Sequence, residues 1–302
     1  MSKTFVITGA SGHVGKVLTD RLLSANQKVR VIARDANKMK ELIEKGAELQ
    51  QGDVRDGSFV NKAFSGADAV FLMIPPPHDE NNILAYSHRV MTNYLDAVKS
   101  NNVKHVVLLS SIGTHDLNTK NVVEGLKDAE LEFHKLDNVN FLALRPSSFM
   151  ENLMFQVPVI KQMGIAGSAV KGDLSMPWVA TKDIAEIAAK RLLDLSFTGK
   201  SHEYILGERN FSYNEATKIL GPAIGMPDLQ YVTFPYDQAE QAMLQFLPPD
   251  YAHRMVQMSK DMNEGEMLKD YTRSSENTTP TSIEEFSKTF AAAYNADAAA
   301  TN

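Results

Sequence analysis

Residues 4–15 read Thr-Phe-Val-Ile-Thr-Gly-Ala-Ser-Gly-His-Val-Gly, an apolar run that breaks into glycines at a three-residue spacing and then enters a helix-forming stretch. A strand that turns through glycines directly into a helix is built to cradle a dinucleotide pyrophosphate. Gly9 can make the tight turn, and Gly12 lets the main chain approach the phosphates. Gly15 lets the helix pack close to the sheet, with its free N–H groups and positive dipole end facing the anion. Ser11 reads as a phosphate ligand, and His13 and Val14 complete the part of the loop that can meet the cofactor. Glycines in an ordinary strand-helix turn are the alternative, so the surrounding pattern has to decide.

Outward from the loop, short valine- and isoleucine-rich runs alternate with longer polar-apolar stretches as far as Pro146. The pattern predicts strands over 5–8, 29–33, 47–51, 69–74, 105–110 and 140–144. It predicts helices over 14–26, 36–45, 58–64, 82–101 and 122–136. Such alternation specifies an α/β chain with a Rossmann-type, doubly wound parallel sheet. Pro75-Pro76-Pro77 stops the fourth strand abruptly. After Pro146 the rhythm changes to glycine- and methionine-rich segments, with a helix over 182–195. This predicts a nucleotide-binding domain over 1–150, with 175–207 returning to it. The rest, 151–302, reads as a smaller, partly interleaved α+β domain on the substrate side that closes over the cofactor. The alanine-rich end, 291–302, reads as a frayed tail.

Composition narrows the function. Hydrophobic residues make up 43% of the 302 positions and charged residues 23%, ordinary values for a folded protein. A net charge of -6 disfavours the polyanionic backbone of nucleic acid. The absence of cysteine removes disulfides, thiolate metal sites and cysteine nucleophiles, so redox chemistry must be borrowed from a cofactor. The histidines form no metal-binding spacing, and no metal is expected. The first apolar run is too short for a signal peptide or a membrane span, which makes a cytoplasmic protein the expectation.

The nucleotide's identity turns on the end of the second strand, where a Rossmann unit meets the adenosine ribose. Arg34 stands there and Lys38 follows one helical turn later. A guanidinium favours the 2'-phosphate, so the expectation is NADP(H) ahead of NAD(H). Asp35 could instead point at the ribose hydroxyls while Arg34 faces solvent. After the third strand, Asp53 with its neighbour Val54 could meet the adenine amino group; a turn or a helix cap is the other reading of Asp53. Ile74 and Pro75 at the end of the fourth strand, and Ser110 and Ser111 at the end of the fifth, should border the same crevice.

With Gly9, Gly12, Gly15, Arg34 and Gly52-Asp53, the segments Arg145-Pro146-x-x-Phe149-Met150-Glu151-Asn152 and Val179-Ala180-x-x-Asp183-Ile184-Ala185 resemble the NmrA-like family of atypical short-chain dehydrogenase/reductases. The similarity covers most of the chain and weakens beyond about Gly225. It implies NAD(P)H binding and one of two activities. One is reduction of quinones, dyes or phenylpropanoids; the other is a redox-sensing regulator that binds NADP and a protein partner without turnover. It also implies that 145–152 lines the nicotinamide end, although an ion pair anchoring the last strand is an equal reading of Arg145.

The larger superfamily uses a tyrosine with a lysine four residues later, and none of the nine tyrosines here has that spacing. The nearest case, Tyr94 with Lys99, is five apart. Some relatives use a lysine on the helix after the fifth strand, which points to Lys120 and Lys127. Burial beside a cationic nicotinamide could lower such a lysine pKa, and a solvated helix face is the alternative. His115 is a candidate proton donor or substrate contact, or simply a loop histidine. Phe149, Asn152 and Met154 fall on the substrate side, among methionines that suit a flat, apolar or aromatic substrate, or that merely pack between helices. The expected function is hydride transfer from NAD(P)H to a conjugated electrophile such as a quinone; the alternative is the nucleotide-sensing regulator.

Overall fold

The computed structural model describes residues 2–77 and 79–299. In chain order the first elements are β1 (Thr4–Thr8), α1 (His13–Ser24), β2 (Lys28–Ala33), α2 (Lys40–Glu44), β3 (Glu48–Gln51), α3 (Gly57–Ala63), β4 (Ala69–Leu72), α4 (Ile83–Ser100), β5 (His105–Leu109), α5 (Glu124–His134) and β6 (Asn140–Pro146). The chain continues through β7 (Ser148–Phe149), α6 (Gln156–Met163), β8 (Ala166–Ser168), β9 (Met176–Val179), α7 (Thr181–Asp194), β10 (Lys200–Ile205), β11 (Asn210–Phe211), α8 (Tyr213–Ala223), β12 (Tyr231–Thr233), α9 (Tyr236–Met243), α10 (Pro249–Asn263) and α11 (Ile283–Ala299).

Two compact units share these elements. One holds the chain up to Thr119, Val123–Arg145 and Ile184–Glu203; the other holds Lys120–Val122, Pro146–Asp183 and the chain from Tyr204 onwards. The first unit is built on a seven-stranded sheet in the order β10-β6-β5-β4-β1-β2-β3. Parallel pairing links β1 to β2 and to β4, and the order therefore reverses between β1 and β4. That reversal opens a crevice at the carboxyl ends of these strands, where ligands bind in open parallel sheets. Phe5, Val6 and Ile7 of β1 and all four residues of β4 are buried. Near-continuous apolar strands are what a sheet covered by helices on both faces requires.

All six strands read from the sequence are present, within two residues at each end. The seventh, β10, was not read. Its sequence Lys-Ser-His-Glu-Tyr-Ile buries only the final isoleucine, so it carries no apolar signal. The bonds from Phe141 N to Gly199 O and from Ser147 N to Ile205 O keep one register and set β10 parallel to β6. The strand expected over 69–74 stops at Leu72 because the Met73 N–H is diverted to the Thr8 hydroxyl at 2.7 Å. The helix expected over 36–45 begins as a 3-10 turn, Ala36–Met39, in which the Asp35 carboxylate accepts the Asn37 N–H at 2.9 Å. Asp56 and Asn82 cap α3 and α4 through their side chains.

The second unit is α+β, with a three-stranded sheet β11-β9-β7 and a two-stranded sheet β12-β8. Its core stacks Trp178 on Phe211 at 5.3 Å and Tyr213 on Tyr231 at 4.6 Å. Two acidic residues of the segments that carry the family resemblance do structural work in this unit. Glu151 accepts the Thr181 N–H and hydroxyl at the start of α7, and Asp183 accepts the Thr281 N–H and hydroxyl at 3.1 and 2.7 Å. The alanine-rich end does not fray where it is described: through Ala299 it continues α11, whose Ile283, Phe286 and Phe290 are buried. Residues 300–302 lie outside the described residues.

Gly15 sits where helix and loop meet most closely, since a Cβ there would fall 2.3 Å from the Gly9 carbonyl oxygen and 2.8 Å from Ala10 Cα. Gly15→Val should destabilise the protein by about 1–3 kcal/mol, because both obstacles are backbone. Urea unfolding checks this, and an unchanged unfolding free energy would mean that the helix can lift away from the turn.

Candidate active site

Gly9 adopts φ +66°, a left-handed conformation that glycine takes without strain, and its carbonyl accepts the Gly12 N–H at 3.0 Å. The chain then enters α1 at His13 with no side chain capping the helix and no acidic residue in the first turn. The first N–H groups of α1 therefore lack intrahelical partners and face the end of the crevice. A Cβ added at Gly12 would meet only the Gly9 oxygen, at 3.4 Å, so the space before it is open. Free donors, a positive helix end and a cleared approach fit a pyrophosphate. Ser11 and His13 are exposed beside it, whereas the Val14 side chain is buried and only its main chain can serve.

Past the end of β2, Arg34, Asp35 and Lys38 are exposed. Asp35 is engaged by the Asn37 N–H; among the described residues the Arg34 guanidinium makes no hydrogen bond or ion pair. Asp53 closes a turn on the Arg55 N–H at 2.9 Å and accepts the Arg55 guanidinium at 2.7 and 3.0 Å. Partial burial would raise the Asp53 pKa, but the Arg55 hydrogen bonds hold it below the usual carboxylate value. Arg55 also reaches Asp79 at 2.9 Å and Glu80 at 3.1 Å, and Glu80 takes Arg89 in turn. The loop after β4 is thus tied to the turn after β3. The Val54 side chain is buried and its carbonyl accepts Asn93 Nδ2 at 2.9 Å.

The half-buried Ile74 and Pro75 follow β4. Tyr94 is buried, donates to the Met73 carbonyl at 2.9 Å and stacks on Phe64. Burial pushes its pKa well above the ordinary tyrosine value, so it supports the strand end and is unsuited to proton exchange.

Behind β5 the sheet carries a buried polar cluster. Arg145 at the end of β6 grips Glu130 of α5, with Nη2 to Oε2 at 2.6 Å and Nε to the two oxygens at 3.1 and 3.2 Å. The same carboxylate accepts the Ser110 hydroxyl, and Thr114 Oγ1 at 3.0 Å. The ion-pair reading of Arg145 is therefore realised, and Ser110 is committed to Glu130. Ser111 is half-buried beside it.

Lys127, one turn before Glu130, is buried rather than solvated: its ammonium donates to the Leu117 carbonyl at 3.2 Å and lies 3.1 Å from Asp128. Lys120 is exposed and belongs to the other unit. His115 is half-buried, and its Nδ1 has no hydrogen-bond partner among the described residues. Phe149, Asn152 and Met154 also belong to the other unit. Phe149 pairs with Val179, Asn152 is exposed and Met154 is half-buried.

Glu130, Arg55, Asp128 and His88 were not singled out from the sequence. The one available signal was the spacing of Lys127, Glu130 and Phe133, which puts two charges on the buried face of α5. A cavity of about 440 Å³ between α4 and α5, lined by Leu95, Val98, Leu136 and Val139, lies at the amino ends of β5 and β6, away from the glycine loop. Among the described residues, no three histidine or acidic side chains are grouped to hold a metal ion, and no helix is long and apolar enough to cross a membrane.

The sequence profile of a family described as NAD(P)H-binding matches residues 9–192. The chain is 26% identical over 260 residues to a (4-alkanoyl-5-oxo-2,5-dihydrofuran-3-yl)methyl phosphate reductase of Streptomyces griseus, covering 86% of this chain and 87% of that one. It is 26% identical over 238 residues to an NAD(P)H azoreductase of Xenophilus azovorans, covering 79% of each. Among solved structures, the NADPH-dependent quinone oxidoreductase of Escherichia coli with bound NADPH superposes with a TM-score of 0.77 at 17% identity, over 94% of this chain and 99% of that one. The Rossmann-type fold expected from the glycine loop and the family resemblance is the fold found.

Two substitutions test this geometry. Gly12→Val should abolish NAD(P)H binding, read by calorimetry, while the circular dichroism spectrum and melting temperature stay near wild type, because the new side chain enters open space. Glu130→Ala strands a buried guanidinium and should lower the unfolding free energy by about 3–5 kcal/mol in urea. A loss below about 1 kcal/mol would mean that Arg145 finds another partner.

Proposed function

The chain belongs to the NAD(P)H-binding family, and from that premise we propose that it is a reductase that prefers NADPH and delivers hydride to flat, conjugated electrophiles such as quinones. The observation that carries this reading is Lys127. A buried ammonium, rather than a tyrosine hydroxyl, stands under the loop that follows β5.

The bound nicotinamide would supply the hydride. The protein's contribution is orientation and charge. The amino end of α1 with Gly12, His13 and Val14 would hold the pyrophosphate, and Ser11 would add a hydroxyl. Arg34, with Lys38 nearby, would take the 2'-phosphate, since Asp35 is occupied by its own turn. Asp53 and the Val54 main chain would border the adenine. Ile74, Pro75, Ser110 and Ser111 would line the path between the two nucleotide halves. Hydride addition to a quinone leaves an oxyanion spread over a conjugated ring. It needs one proton and one nearby positive charge, and Lys127 provides both. The reductase names of the two sequence relatives and of the quinone oxidoreductase neighbour support the same class of acceptor. His115 is a secondary candidate for proton donation.

Calorimetric titration with NADPH, NADP+, NADH and NAD+, followed by NADPH oxidation with quinones and azo dyes, tests the proposal. Tight NADPH binding with turnover is expected; tight binding without turnover would turn the reading to a nucleotide-sensing regulator. Arg34→Ala should weaken NADPH by about tenfold or more and leave NADH nearly unchanged, whereas an equal loss for both would remove Arg34 from the 2'-phosphate. Lys127→Ala should lower kcat by about a hundredfold with little change in NADPH affinity.

A further inference from the structure

Lys127 poses a problem that the reductase reading creates. An ammonium that gives up its proton inside the protein must recover one before the next turnover. Its side chain is 9% exposed, and among the described residues it meets only the Leu117 carbonyl and the Asp128 carboxylate. A carbonyl oxygen has no proton to give. Asp128 is the one neighbour that can pass a proton, and its other oxygen lies 2.7 Å from Nε2 of His88 on α4. Exposure rises outward along this line, from 9% at Lys127 to 24% at Asp128 and 44% at His88.

We propose that His88 and Asp128 are positioning residues that return protons from solvent to Lys127, making the outer face of α4 the proton entrance of the enzyme. The proposal rests on the reductase reading. In each cycle Lys127 gives one proton to the acceptor oxyanion and becomes a neutral amine. With its ring proton on Nε2, His88 takes a proton from water at Nδ1 and passes the Nε2 proton to Oδ2 of Asp128. The carboxyl group rotates and hands that proton to the amine, and exchange with water then returns the remaining imidazole proton from Nδ1 to Nε2. One proton moves from solvent to product, and no electrons move along the path.

The fold keeps this line short by close packing of α4 and α5. A Cβ at Gly125 would come within 2.5 Å of Ser87 Cβ, and one residue past Ser87 and three past Gly125 stand His88 and Asp128. Besides His88, the charged or titratable acidic and basic groups on the elements packed here are Arg89, Asp96 and Lys99 on α4, Glu124, Lys127, Asp128, Glu130, Glu132 and His134 on α5, and Lys62 on α3. Arg89 is engaged with Glu80, and among the described residues only Asp128 is hydrogen-bonded to the imidazole.

Single-turnover and steady-state NADPH oxidation by His88→Ala, in dilute buffer with and without added imidazole, test the path. The first turnover uses the proton already on Lys127 and should match wild type. The steady-state rate should fall about tenfold and be restored, saturably, by imidazole. Steady-state turnover that equals wild type overturns the proposal. So does a parallel loss in both regimes without rescue, which would make His88 merely structural. A second readout needs no activity: in the protein without nucleotide, the NMR shifts of the His88 ring nitrogens should change in Asp128→Asn, which loses the hydrogen-bonded carboxylate, and in Lys127→Met, and no response to either change overturns the coupling. Failure of the underlying reading looks different. The wild type would then oxidise no NADPH with any acceptor, or Lys127→Ala would turn over at the wild-type rate.

Discussion

The pairing of Glu130 with Arg145 is the interaction on which the working end of the sheet depends. It joins α5 to the end of β6 and, through the Ser110 and Thr114 hydroxyls, to the loop that leaves β5. Two charges buried this deeply are tolerated only when nearly every donor and lone pair is matched, and the bidentate geometry with two added hydroxyls meets that demand. The pair also sets the rotation of α5 about its axis. With Glu130 turned toward the sheet, Lys127 one turn earlier is carried inward, and Asp128, about 100° further around the helix, is turned toward α4.

The nucleotide end obeys a different constraint. A parallel sheet whose order reverses between β1 and β4 leaves a crevice there, and the residues that leave those strands must bend away without closing it. Gly9 does so by its left-handed turn, and Thr8 ties off β4 by taking the Met73 N–H. Arg55 then links the turn after β3 to the loop after β4 through Asp53, Asp79 and Glu80. These ion pairs are partly exposed and individually weak; as a group they join the turn after β3 to the loop after β4.

Where sequence and structure part, the reason is local each time. The strand β10 was silent because an edge strand with one buried side chain lacks the apolar run that marks β1 or β4. The alanine-rich end, 291–302, reads as a frayed tail, yet through Ala299 it continues a helix that Ile283, Phe286 and Phe290, just before it, anchor by burial. From the sequence, a solvated face is the stronger reading of Lys127, because a lysine on an amphipathic helix normally marks that face. It shares the buried face of α5 with Glu130 three residues later, which pairs with Arg145 at the end of β6.

The sequence by itself determined the strand-helix alternation, the doubly wound sheet and the glycine turn between β1 and α1, because all of these depend on hydrophobic period and glycine over a few consecutive residues. The tertiary structure alone decided which charges meet. Glu130 reaches Arg145, Asp53 folds back on Arg55, and His88 finds Asp128 across 40 residues of chain. No local pattern encodes such pairings. They form because parallel strands and crossover helices bring distant segments within hydrogen-bonding distance, and because burial makes an unmatched charge too unfavourable to leave alone.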